Sequence, residues 1–191
     1  KKELATGLNE DQYVASEDGH LVAYEKEDPS KSKSVTVMNL ETDQEYEVTC
    51  KDGECIKPLG FMDGDFVYGV AKTEEVGTTL SGAQVIPMYK VEITSSKDKV
   101  IKTYEQSGIY VLSATFEDNM ITLDRAIKDG DTYTGTAQDY ITSSKEAKES
   151  NIYVQTYKTD LKETQVRLTY DDGISDKEPK LLKPKQVVLE N

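Results

Sequence analysis

Ser16-Glu17-Asp18-Gly19-His20-Leu21-Val22-Ala23-Tyr24 joins a tight-turn signal to a short β-rich run, and the same plan returns along the chain. It returns as Phe61-Met62-Asp63-Gly64-Asp65-Phe66-Val67-Tyr68-Gly69 and, more loosely, as Phe116-Glu117-Asp118-Asn119-Met120-Ile121-Thr122-Leu123. Asp-Gly and Asp-Asn supply the backbone freedom a tight turn needs, and the apolar residues after them suit a strand. Asp18 and Asp63 stand 45 residues apart, and Asp63 and Asp118 stand 55 apart. Strand-rich repeats of that period predict β-propeller-like blades.

Working outward, alternating runs predict an all-β chain of antiparallel meander sheets. Strands are expected at Tyr13–Ser16, Leu21–Glu25, Val35–Leu40 and Glu45–Thr49, then at Phe66–Ala71, Met88–Ile93 and Val100–Tyr104. Phe66–Ala71 is apolar throughout, which predicts burial on both faces. Further strands are expected at Ile109–Ser113, Met120–Leu123, Asp139–Thr142, Ile152–Tyr157, Gln165–Tyr170 and Gln186–Leu189. Ser143–Ser150 reads either as a helical turn or as a loop. The stretches 27–33 and 73–85 read as loops, and they are the expected partner contacts. Three to four units result, at about 12–58, 59–107, 108–150 and 151–191, in one propeller-like domain or segment. Closed propellers carry about four to eight blades. The expectation is therefore a part of a larger propeller.

Composition narrows the function classes. The 191 residues carry 36 acidic and 23 basic side chains, a net charge of -13. Such a surface repels phosphate backbones, so nucleic acid is not an expected partner. No run of about 18 apolar residues occurs, so no membrane insertion is expected. Twelve tyrosines against three phenylalanines and no tryptophan predict half-buried rings whose hydroxyls reach water. The chain opens on Lys1-Lys2-Glu3, from which a trimmed N-terminus is expected, so the lack of a signal peptide is silent on compartment.

Few residues suggest chemistry. His20 is the single histidine and sits by a turn, no Gly-x-Ser-x-Gly elbow occurs, and no phosphate loop occurs. No catalytic or cofactor-binding residue is expected. Asp124, Asp129 and Asp131 around Lys128-Asp129-Gly130-Asp131 form one calcium candidate, with a plain hairpin turn as the alternative. Cys50 and Cys55 flank Lys51-Asp52-Gly53-Glu54. If that turn closes a hairpin, they face each other and can form a disulfide; two free thiols are the alternative. A disulfide favours an extracytoplasmic home.

The turn and strand of residues 16–24, a polar loop, and then Val35-Thr36-Val37-Met38-Asn39-Leu40-Glu41-Thr42 resemble the TolB-type propeller repeat. In that family a Ser-Pro-Asp-Gly turn precedes a short apolar strand, and a second strand ends in an Asp-Leu-like pair. Here Glu17 stands where proline is usual, and Asn39-Leu40 replaces Asp-Leu. The likeness covers residues 16–49 well, 61–104 fairly, and little beyond 109. The repeat, with no catalytic constellation beside it, leads to the expectation of a non-enzymatic scaffold or binding module of a bacterial-type extracytoplasmic or surface protein, taking a protein or a glycan. The alternative is an accessory, substrate-gating propeller of a larger hydrolase.

Overall fold

The computed structural model describes residues 5–96, 99–117, 119–143, 152–159 and 162–170. The possible helical turn within 143–150 and the terminal strand at 186–189 lie outside these residues, apart from Ser143. The chain divides into two compact units, Lys1–Ala147 and Lys148–Asn191.

The first sheet is a four-stranded antiparallel meander of β1 (Tyr13–Ala15), β2 (Leu21–Tyr24), β3 (Ser34–Asn39) and β4 (Glu45–Thr49), in that order. A 3-10 turn at Glu10–Gln12 leads into it. The second sheet has ten strands. They are β5 (Glu54–Met62), β6 (Asp65–Lys72), β7 (Gly77–Thr79), β8 (Gln84–Val85), β9 (Met88–Ser95), β10 (Lys99–Glu105), β11 (Tyr110–Glu117), β12 (Met120–Asp129), β13 (Thr132–Gly135) and β14 (Asp139–Thr142). Within it, β5, β6, β9 and β10 make a second antiparallel meander. Strand β11 joins that meander through one residue pair, Val111 with Met88, and then pairs along its length with β12. Strands β13 and β14 both pair with β12. In the other unit, β15 (Ile152–Thr159) and β16 (Lys162–Tyr170) form an antiparallel hairpin.

Alternation along β6 sets the layering. Phe66, Tyr68 and Val70 face the first sheet and pack with its Ala23, Val35, Val37 and Val48, together with Ile56 of β5. Val67 and Ala71 face the other way and pack with Val91 and Ile93 of β9, Val111 of β11, and Ile121, Leu123 and Ile141. Unit one is thus three layers deep, with β5, β6 and β9 in the middle. Each large side chain fully buried there, such as Phe66 or Ile56, contributes about 1.5–3 kcal/mol of transfer free energy. The expectation that β6 is covered on both faces holds.

The repeated turns fold differently from one another. Asp63 (φ 53°) and Gly64 (φ 80°) form a two-residue connection between the paired Met62 and Asp65. Two successive positive φ values are the mark of the type I′ turn that suits a twisted hairpin. Residues 16–19 instead close a longer loop, in which Gly19 N–H donates to the Ser16 carbonyl at 2.9 Å. The Ser16 hydroxyl donates to Asp18 Oδ1 at 2.6 Å and accepts from Leu21 N–H at 2.9 Å.

Two local expectations change. Strand β5 runs through residue 58, so the expected unit boundary at 58/59 falls inside a strand that pairs with β6. The stretch 73–85 is not a plain loop. It holds a 3-10 turn at Thr73–Glu75 and the small β7–β8 hairpin, whose β7 lies parallel to β13.

Candidate functional site

Strands β1, β5 and β11 converge around an open groove of about 660 Å³. Val14 and Ala15 come from β1, Glu17 from the turn after it, Leu59, Gly60 and Phe61 from β5, and Phe116 and Glu117 from the end of β11. A register shift between Pro58 and Gly60 makes Leu59 an extra residue opposite β6. Such bulges bend a strand and re-aim a side chain, and here the re-aimed residue lines the groove. Pro58 is tolerated because β5 pairs with a strand on only one side. Gly60 lets the Phe116 ring lie against the β5 backbone; a Cβ there would stand 2.6 Å from the ring.

Val14, Leu59, Phe61 and Phe116 contribute apolar side chains to the groove, whose accessible lining is mostly polar. Its charged residues, Glu17 and Glu117, are both exposed carboxylates. Among the described residues neither forms an ion pair. Ionised carboxylates only accept hydrogen bonds, so the rim suits amine, guanidinium or hydroxyl donors and disfavours anions. Rings with a few polar groups at the edge are the usual make-up of small-ligand clefts. A second cavity of about 340 Å³ also touches Phe61, and Leu21, Val37, Gln44, Tyr46 and Ser96 contribute to its wall.

The three aspartates expected to hold calcium are not brought together. Asp124 lies on β12, where Ser113 Oγ donates to it at 2.6 Å and Gln138 Nε2 at 2.7 Å. These two donors hold its carboxyl below the usual carboxylate range. Asp129 ends β12, and Asp131 follows Gly130 (φ 59°) in the turn to β13. Among the described residues no group of three His, Cys, Asp or Glu side chains is placed to hold a metal ion. The plain hairpin turn is what forms.

Cys50 and Cys55 are both free thiols. The turn between them forms, with Glu54 N–H donating to the Lys51 carbonyl at 3.1 Å. It does not close a hairpin, however, because β4 pairs with β3 and β5 pairs with β6. The cysteines instead flank the crossing from one sheet to the next. Burial, reinforced by the neighbouring Cys50 and Glu25, pushes the Cys55 thiol up to about 11. His20 Nδ1 lies 3.1 Å from Glu41 Oε1, with both side chains well exposed.

The first expected contact loop is folded on itself. Asp28 Oδ1 accepts from Ser30 N–H at 2.9 Å and from Ser30 Oγ at 2.5 Å. The Asp28 carbonyl accepts from the N–H groups of Lys31 and Ser32.

Tyrosines organise the polar clusters that local sequence reading misses. Tyr68 donates to Glu92 at 2.8 Å, Tyr89 to Glu54 at 2.8 Å, and Tyr104 to Asp139 at 2.9 Å. Tyr110 donates to Glu75 Oε1 at 3.2 Å, and Tyr133 to the Glu75 carbonyl at 2.8 Å. The hydroxyls of these five reach protein acceptors, while Tyr13 and Tyr140 are exposed. Arg125 completes one cluster, donating to Asp139 at 3.1 Å, to Gln106 at 3.0 Å and to the Ala137 carbonyl at 2.7 Å. Apart from Glu75 Oε2, which is buried without a hydrogen-bond partner, these groups pair with one another, so the clusters read as structural. The abundance of tyrosine was the only signal for them in the sequence.

No protein-family model matches the chain, and no curated protein matches it.

Proposed function

We propose that this chain is a propeller-like, non-enzymatic binding module that takes its ligand in the groove between β1, β5 and β11. The observation that carries this is the convergence itself. The opening strands of three successive antiparallel layers meet around an open cleft edged by two phenylalanine rings and two carboxylates without ion pairs. A four-stranded meander, a second meander packed on it and a third layer beyond support the reading of β1–β4, β5–β10 and β11–β14 as blade-like units of TolB type. The ligand is a protein or a glycan, since both present donors to carboxylates and apolar faces to rings. The setting is outside the cytoplasm or on a cell surface, as the resemblance to that repeat implies.

Ala15 is exposed and lines the groove, so Ala15→Trp fills the cleft without touching the core. Arrays of defined peptides and glycans should give a ligand that the wild-type chain binds and the variant binds at least tenfold more weakly. Equal binding by both chains would move the site elsewhere. Silence across both arrays would count against a binding module.

A further inference from the structure

Glu25 stands directly after β2 and is 1% exposed, the only acidic or basic residue buried so completely among the described residues. Neither Oε1 nor Oε2 has a hydrogen-bond partner. The fully buried Ser32 beside it is the one side chain placed to donate to this carboxyl, and its hydroxyl is turned instead to the Ser34 carbonyl at 3.0 Å. Asp11 faces it from the turn before β1, Asp28 from the turn after β2, and Lys57 and Cys55 from β5. Lys57 makes no ion pair with it.

The residue lies in a backbone clasp that joins the start of β1 to the end of β2. Glu25 N–H donates to the Gln12 carbonyl at 2.9 Å. The Gln12 side chain donates to the Glu27 carbonyl at 2.8 Å and accepts from Asn9 N–H at 2.9 Å. An ionised carboxylate in this place would be desolvated and beside two acids, with only the Ser32 hydroxyl and the more distant Lys57 to favour it. A buried charge of that kind is costly, and the group responds by holding its proton.

We propose that this clasp is a proton-gated latch, with protonated Glu25 holding β1 against β2 and ionised Glu25 loosening it. Burial, with Asp11 and Asp28 adding to it and outweighing the opposing pull of Ser32 and Lys57, raises the Glu25 carboxyl from 4.5 to about 7. The stabilisation is therefore full below pH 4.5 and is lost as pH rises through about 7. The latch goes beyond the binding reading and stands without it. If both hold, the β1 wall of the groove loosens in the same pH range.

Amide hydrogen exchange of the full chain at about pH 6 and pH 8, corrected for intrinsic rates, tests the latch. For a group with these folded and unfolded values, linkage predicts an opening constant for β1 and β2 about tenfold larger at the higher pH. Glu25→Gln should abolish that difference. An unchanged wild-type opening constant, or an equal rise in Glu25→Gln, would overturn the proposal. If the variant does not fold, the side-chain carboxyl ¹³C titration of wild-type Glu25 decides: a midpoint near 7 supports the latch, and one below 5 sinks it.

Discussion

Gly69 sits at the centre of β6, and the space a side chain would need is already taken. A Cβ there would stand 1.9 Å from the Met88 sulfur and 2.6 Å from its Cγ. Met88 is fully buried and packs with Val67, Ala71 and Val91, so it has little room to retreat. Gly69→Ala should therefore cost about 1–3 kcal/mol as an overpacking substitution, although alanine is ordinarily acceptable in a strand. Urea unfolding checks this as a lower midpoint at unchanged slope. Unchanged stability would mean that the Met88 side chain repacks freely, in conflict with its burial. Glycine is here a packing residue, unlike Gly64, where positive φ decides the choice.

At the scale of elements, the β7–β8 hairpin is short and depends on its attachments. Strand β7 lies parallel to β13 over two residue pairs, and Tyr133 on β13 donates to the Glu75 carbonyl just before β7. Tyr133 is 1% exposed. Tyr133→Phe keeps the ring but leaves that carbonyl short of a donor, at a cost of about 1–3 kcal/mol. Hydrogen exchange in β7 and β8 should accelerate more than exchange in β2 or β3; a uniform change would contradict this local attachment. None of it was legible beforehand, because Gly77-Thr78-Thr79 and Gln84-Val85 lack an apolar run, and β7 finds its second partner, β13, some 50 residues away. The antiparallel strands were legible because alternation and Asp-Gly turns are local signals. Strand β5 was under-read because Pro58, Gly60 and the bulge at Leu59 interrupt its pattern. The groove was invisible for a related reason: its walls come from three strands remote in sequence. The buried Glu25 looked like any acid at a strand end, since burial is set by the 9–12 and 28–32 turns that fold around it.

Across the whole molecule, charge works against compactness. The chain carries 36 acids and 23 bases, and the ion pair Lys33–Asp52 is exposed, while Lys90–Glu92 and Arg125–Asp139 are more covered. Exposed pairs of this kind contribute about 0–1 kcal/mol each. Self-repulsion from a net charge of -13 acts across the whole molecule, whereas each ion pair acts locally. Its range follows the screening length, which falls from about 30 Å at 0.01 M salt to about 3 Å at 1 M. Added sodium chloride should consequently raise the melting temperature. A gain of about 1 kcal/mol corresponds to about 2–4 °C for a chain of this size. Thermal melts at about pH 6 from 0.01 to 0.5 M salt isolate the effect, since Glu25 then stays largely protonated. A melting temperature that falls with salt would show that attractive pairs outweigh the repulsion, and the charge excess would then have to be spread so evenly that screening it gains nothing.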